Sequence, residues 1–128
     1  MGNPVVHFEL MSGDPARIGA FYEQTFGWSL QPRPELNYTI VDTKAAAPMQ
    51  GIGGGIVKPD HPEPWPAKLT MYILVDDLDA YGRRIVAAGG RLLIEKQEVP
   101  GMGALTIFSD PEGRMMGLWR SADPAANP

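Results

Sequence analysis

The residues of this chain best suited to chemistry are His7 and Glu9, which lie two positions apart near its amino terminus. Alternate residues of a β-strand share one face, so a strand here would place the imidazole and the carboxylate side by side. Such a pair can transfer protons, and the carboxylate would raise the imidazole pKa. The structural alternative is a core or rim histidine with one satisfied hydrogen bond, beside a Glu9 exposed to solvent. The pattern leaves both interpretations open.

The residues around this pair predict a strand followed by a helix. Residues 4–11 alternate apolar positions with His7, Glu9 and Met11, as a strand between two different environments would. The helix is expected to begin at Asp14, which suits the N-cap, and to end at Gly27. Its apolar positions are Ile18, Phe21, Tyr22 and Phe26. Further strands are predicted at residues 28–33, 38–42 and 51–57, which makes a β-α-β-β-β module of residues 5–57.

The module recurs at an offset of 63 residues. This offset places Asp77 over Asp14 and Thr70 over His7. It also places Pro111 over Pro48 and Gly117 over Gly54. The second module, residues 69–120, has predicted strands at 69–75, 91–96, 104–108 and 115–120, with a helix from Asp77 to Gly89. Two copies that are each too small to close a core are expected to pack together and leave a cleft between them.

Length and composition favour one domain over residues 1–128. Four prolines within residues 59–66 predict an extended linker at 58–68, and residues 121–128 are expected to be a frayed tail. The net charge of −4 comes from interleaved charges, which argues against nucleic acid as a partner. Cysteine is absent, which excludes thiolate chemistry. No leader and no membrane-spanning apolar run is recognised, so a cytoplasmic protein is expected.

These motifs resemble the vicinal oxygen chelate superfamily, which includes glyoxalase I, extradiol dioxygenases and the bleomycin-resistance proteins. The resemblance covers residues 5–120, and it is greatest to bacterial glyoxalase-like proteins of undefined activity. It rests on His7-x-x-Leu10, Phe26-Gly27-Trp28, Val75-Asp76-Asp77-Leu78, Ala88-Gly89-Gly90 and Asp110-Pro111-Glu112-Gly113. The resemblance implies an α+β fold in which two tandem βαβββ modules form a curved mixed sheet around a cleft, with the helices outside. It also implies a homodimer.

In the superfamily, a divalent metal is held by four strand positions, which the resemblance carries onto His7, Gly54, Thr70 and Gly117. Glycine has no side-chain donor, and a threonine hydroxyl is a weak ligand for Zn, Ni, Fe or Mn. No cofactor is therefore expected. Alternation instead predicts a largely apolar cleft for a small organic molecule. The candidate ligand-binding residues are His7, Glu9, Met11, Ile52, Thr70, Tyr72, Met115 and Trp119.

Three functions remain open from the residues and the resemblance. The preferred hypothesis is metal-independent binding of a small hydrophobic or aromatic molecule in the cleft, as in the resistance proteins. The alternative is a glyoxalase-like lyase, isomerase or dioxygenase that uses His7 with Glu9 or a weakly held divalent metal. The third is a dimeric interaction module that works through its surface and whose cleft is filled by its own side chains, with Trp119, Met115 and Met116 plugging the space.

Overall fold

The computed structural model describes residues 2–43 and 49–128, so Pro48 lies outside the described residues. Contacts divide the chain into two units. The first unit is His7–Thr70, and the second unit combines Met1–Val6 with Met71–Pro128. Each unit has one α-helix and its own set of paired strands.

In the first unit, four strands pair in the order β2-β3-β4-β1. The strands β1 and β4 are parallel, and the other two pairings are antiparallel. A short 3-10 helix, Pro34–Leu36, joins β2 to β3. The bounds of the elements are β1 Val5–Met11, α1 Pro15–Phe26, β2 Ser29–Arg33, β3 Tyr38–Asp42 and β4 Gly53–Val57.

The helix α1 begins and ends where the sequence predicts. The Asp14 carboxylate accepts a hydrogen bond from the Arg17 backbone N–H at 3.2 Å, and Gly27 ends the helix with a φ of 73°. Its expected apolar face is only partly buried, since Phe21 and Phe26 are 54% and 61% exposed. Gly19 is the residue of α1 that is fully buried, and the helix approaches the sheet there.

The glycine-rich strand β4 is a central strand of this sheet. Glycine weakens strands, yet Ile56 on β4 is completely buried. The ring of Phe8 lies where a Cβ on Gly54 would stand, so the missing side chain is replaced by a neighbouring ring. Leu30 and Ile56 contact the position of Gly19 on α1, which identifies this as the helix-covered face of the sheet.

The second unit repeats this plan, with strands in the order β5-β8-β7-β6 and a parallel pairing of β5 with β8. The Asp77 carboxylate accepts from the Ala80 backbone N–H at 3.0 Å, as Asp14 does for Arg17. The buried core against α2 consists of Val75, Leu78, Ala104, Phe108 and Leu118. The bounds are β5 Leu69–Leu74, α2 Leu78–Ala87, β6 Arg91–Val99, β7 Gly103–Ser109 and β8 Met115–Ser121.

The α+β class and the β-α-β-β-β order of both halves are confirmed. The strands β6 and β7 are longer than predicted, and the expected frayed tail instead contains a 3-10 helix, Pro124–Ala126. Asn127 orders it, because its side-chain amide donates to the Ser121 carbonyl and accepts from the Ser121 N–H, both at 2.9 Å. Within residues 2–43 and 49–128, no helix has the length and apolar character that crossing a bilayer requires.

Candidate ligand-binding site

His7 is half-buried on β1 and is hydrogen-bonded to a residue that the sequence analysis did not identify. Its Nε2 atom lies 2.7 Å from the hydroxyl oxygen of Tyr38 on β3. The two rings are nearly parallel, at 14°, with centroids 6.4 Å apart. When the neutral imidazole carries its proton on Nδ1, the phenol donates this bond to Nε2.

The environment of His7 favours the neutral imidazole. Burial lowers the pKa of His7 from its ordinary value of 6.5, because desolvation penalises the charged form. The raised pKa expected of an acid/base pair with Glu9 is therefore wrong in direction. At pH 7 His7 is a neutral group that can accept or donate a hydrogen bond.

The register of β4 decides which residues share the face of His7. Pairing of β1 with β4 aligns His7 with Gly53, Phe8 with Gly54 and Glu9 with Gly55. Gly53 and Gly55 therefore lie on the face of His7 and Glu9. The expectation that Gly54 shares this face is wrong, since Gly54 lies with Phe8 on the helix-covered side.

Gly54 was assigned to the wrong face because the two halves of the chain differ in length by one residue. Glu9 corresponds to Tyr72 at the offset of 63, and these residues pair with Gly55 and Gly117 respectively. Gly55 and Gly117 are 62 residues apart, so the 63-residue offset mismatches β4 with β8 by one position. Ile52, which precedes β4, has the same parity as Gly54 and is half-buried. Its role as a ligand contact stays a prediction.

Tyr38 occupies the space above Gly55. A Cβ built on Gly55 would overlap the Tyr38 ring. Because β4 lies between β3 and β1, a side chain at position 55 would stand between Tyr38 and His7. Gly55 therefore permits the hydrogen bond between them. A tyrosine on the strand next to a glycine-rich strand is the sequence signal that could have identified Tyr38.

In the second unit, the predicted site residues on β5 and β8 share one face. Tyr72 pairs with Gly117 and Leu74 with Trp119, whereas the core residue Leu118 points to the face covered by α2. The ring of Tyr72 lies across Gly117, where an added Cβ would overlap it. Met115, Gly117 and Trp119 alternate along β8, so the predicted grouping of these residues on one face agrees with the register.

Thr70 is 1% exposed, and its Oγ1 has no hydrogen-bond partner among the described residues. A buried hydroxyl without a partner costs about 1–3 kcal/mol. A bound water or ligand group would remove this cost. The observation distinguishes Thr70 from the buried Thr106, whose hydroxyl donates to the Glu95 carbonyl at 2.5 Å.

The donors at the superfamily's metal positions do not fit a divalent ion. The second position, Gly54, and the residue of β4 that shares the face of His7, Gly55, are both glycines, and the fourth position is Gly117. His7 Nε2 is engaged by Tyr38, and Thr70 offers only a hydroxyl. In the described part of the chain, no three His, Asp or Glu side chains gather in a way that could hold a metal.

The proline-rich segment forms a separate feature. Trp65 donates its indole N–H to the His61 carbonyl at 3.0 Å. An open depression of about 520 Å³ lies here, and none of the predicted site residues lines it. Its walls are Gly13, Lys58, Pro59, Asp60, His61, Pro62, Glu63 and Trp65.

Comparison with known proteins agrees with this fold. The family profile described as "Glyoxalase-like domain" matches residues 7–118. The anthracycline biosynthesis protein DnrV of Streptomyces peucetius is 31% identical over 124 residues, which cover 88% of this chain and 45% of DnrV. The chain spans less than half the length of the curated relatives it matches.

Two solved structures have the same fold. A methylmalonyl-CoA epimerase, in complex with methylmalonyl-CoA and NH4+, superposes with a TM-score of 0.70 at 18% identity, covering 96% of this chain and 97% of the epimerase. A glyoxalase/bleomycin resistance protein/dioxygenase superfamily member from Vibrio splendidus superposes with a TM-score of 0.64 at 15% identity, covering 93% and 99% of the two chains.

Proposed function

The chain belongs to the glyoxalase-like domain family of the vicinal oxygen chelate superfamily, and from this premise we propose that it binds a small hydrophobic or aromatic molecule without a metal ion. The proposed surface is the face of the first unit that carries His7. The observation that carries the proposal is the hydrogen bond between His7 Nε2 and the Tyr38 hydroxyl. Through this bond, the Tyr38 phenol contacts the imidazole nitrogen of the residue at the superfamily's first metal position.

The composition of this face supports an uncharged organic ligand. Its β4 residues Gly53 and Gly55 have no side chains, and the Tyr38 ring packs over Gly55. Met11 and Ile40 supply apolar contact area on the neighbouring strands. A neutral His7 can orient a carbonyl or hydroxyl of such a ligand, and a few polar groups within an apolar lining are typical of small-molecule sites.

The name of the relative DnrV suggests the class of ligand. DnrV is named as an anthracycline biosynthesis protein, and we propose that this chain binds a flat polycyclic aromatic compound. Aromatic ligands pack well on aromatic side chains, in offset-stacked or edge-to-face arrangements. Glu9, Ile52 and Thr70 on the first unit remain proposed ligand contacts. On the second unit, taken by itself, Tyr72, Met115 and Trp119 remain proposed ligand contacts.

Isothermal titration of uncharged anthracycline aglycones and simpler quinones into protein held in excess EDTA tests this function. We expect saturable binding that is at least fivefold weaker in the His7→Ala variant, which removes the imidazole. The variant should keep the far-UV circular dichroism of the wild type. The absence of binding across chemically diverse aromatic compounds would refute the proposal.

Tryptophan fluorescence tests the proposed contact with Trp119. The chain has three tryptophans, so a Trp28→Phe, Trp65→Phe background leaves Trp119 as the single reporter. We expect an aromatic ligand to quench this emission in proportion to occupancy. Emission that does not change at saturating ligand would remove Trp119 from the site.

The second candidate function is acid/base catalysis by His7. The lowered pKa favours it, because a neutral imidazole at pH 7 can accept a proton from a substrate. Turnover that is lost in His7→Ala and rises with pH as His7 deprotonates would support a lyase or isomerase. Binding without any product formation would support the binder.

A further inference from the structure

In the first unit, one aromatic side chain reaches across a whole strand to meet His7. Tyr38 pairs with Val57 on the adjacent β4, yet its hydroxyl lies beside the imidazole on β1. The ring crosses β4 above Gly55, and any side chain at this position would overlap it. The position of the ring and the identity of residue 55 are therefore physically linked.

In the second unit a tyrosine ring also covers the corresponding glycine, but this tyrosine lies on β5, the equivalent of β1. The Tyr72 ring lies over Gly117, which pairs with Tyr72 as Gly55 pairs with Glu9. The resemblance places carboxylate ligands of metal-dependent members at Gly54 and Gly117, and the register of β4 puts Gly55 rather than Gly54 on the face of His7. In both units, the volume of a carboxylate side chain is occupied by the ring of a tyrosine.

We propose that Tyr38 is a specificity-determining residue: packed on Gly55, it holds His7 as a hydrogen-bonding group for uncharged organic ligands and keeps divalent cations from the imidazole. The inference deepens the proposed function and rests on it. Its physical basis is that the Tyr38 ring fills the space that a side chain at position 55 would need. A glutamate at position 55 and the Tyr38 ring cannot both be accommodated.

The hydrogen bond between Tyr38 and His7 also limits metal binding by the imidazole. A histidine that binds a metal uses the lone pair of a ring nitrogen, and Nε2 of His7 already shares a hydrogen bond with the phenol. A ligand therefore meets an imidazole that is oriented by Tyr38 and that discriminates by hydrogen bonding.

A double-mutant cycle on thermal stability tests the packing of Tyr38 on Gly55. Gly55→Ala should lower Tm by more than about 5 °C in the wild-type background, and by less than half as much in a Tyr38→Ala background. Equal losses in both backgrounds would overturn the linkage. Gly82→Ala in α2 is the matched control, because its Cβ would make ordinary contact with Leu92 at 3.4 Å.

Zinc titration by calorimetry tests the exclusion of cations. We expect the Tyr38→Ala, Gly55→Glu variant to bind Zn²⁺ at least tenfold more tightly than Tyr38→Ala alone, because a carboxylate then accompanies a released imidazole. No difference between these two variants would overturn the proposal. Wild-type protein that binds Zn²⁺ through His7 as tightly as the double variant would do the same.

The Tyr38→Phe variant provides a test that does not depend on refolding a heavily altered site. It keeps the ring over Gly55 and removes only the hydroxyl. In ¹⁵N-resolved NMR, we expect the Nε2 resonance of His7 to shift relative to wild type, and unchanged His7 resonances would contradict the proposal. None of these readouts uses an organic ligand, so failure of the specificity role is distinguishable from failure of the binding function.

Discussion

At His7, burial and hydrogen bonding act on the same imidazole. The ring is half-buried, its pKa is lowered by desolvation, and Tyr38 fixes Nε2 at 2.7 Å. These conditions suit a neutral group that orients a ligand. The sequence identified His7 as a site candidate but missed Tyr38, because Tyr38 is 31 positions away and meets His7 only through the register of β4.

Replacing Tyr38 by Phe should weaken ligand binding moderately and leave the fold intact. The ring still packs on Gly55, and loss of the hydrogen bond to His7 is worth about 1 kcal/mol, or roughly fivefold in affinity. Calorimetry with the best aromatic ligand measures this effect. A Tyr38→Phe variant that binds as tightly as wild type would show that His7 orients no part of the ligand.

The lowered pKa of His7 predicts the pH dependence of stability. Above pH 6.5 the imidazole is neutral in both states and burial has no ionic cost. As the pH falls from 6.5 toward the lowered pKa, the unfolded chain takes up the proton first, so stability falls; below the lowered pKa this loss is complete. Urea unfolding of wild type and His7→Gln between pH 8 and pH 5 measures it.

We expect the stability advantage of wild type over His7→Gln to shrink as the pH falls. The exposed His61 provides the matched control, and His61→Gln should follow the pH dependence of wild type. An advantage that grows at lower pH would mean that the folded protein prefers the charged imidazole.

Among the elements, the helices are the part that local sequence rules predict best. Asp14 and Asp77 cap their helices with bonds to the backbone N–H three residues on, and Gly27 has the left-handed conformation expected of a C-cap. Helix-capping rules depend only on neighbouring residues, so the sequence of one segment is enough to apply them. The strand β4 was placed in the right region but on the wrong face, because its register depends on pairing with β1 and β3.

The cap of α2 provides a prediction at this scale. Asp77→Ala should lower Tm by about 3–6 °C, because the Ala80 N–H loses its acceptor. Asp76→Ala, at the neighbouring exposed position, should have little effect. The bond to Ala80 also lowers the pKa of Asp77, so the stabilisation is lost as the pH falls through that lowered value. A Tm difference that persists unchanged at pH 2 would contradict this account.

For the whole molecule, the duplicated plan was readable from the sequence and its exact alignment was not. The repeat predicted two β-α-β-β-β halves, which the structure contains. The offset between the two halves changes from 63 to 62 residues, and the motifs of a single sequence do not show this change. The pairing of β1 with β4 and of β5 with β8 reveals it. Phe21 and Phe26 lie at predicted apolar positions of α1 yet are largely exposed, because helical periodicity does not show how much of an apolar face the sheet covers.

The fold does not identify an activity, so a proposed function must be argued from the residues of the site. The same fold is found in a methylmalonyl-CoA epimerase, and DnrV is named for anthracycline biosynthesis. At the positions where metal-dependent members of the superfamily hold a metal, this chain does not carry a set of carboxylates and histidines. Homodimerisation and a cytoplasmic location remain predictions from the resemblance and the composition.

The most direct test is the affinity for an aromatic ligand, measured by calorimetry in parallel on EDTA-treated protein and on protein supplied with Zn²⁺, Ni²⁺, Mn²⁺ or Fe²⁺. Metal-independent binding predicts the same affinity under every condition and less than one tightly held metal per chain. An affinity that disappears with EDTA and returns with one of these ions would contradict the account.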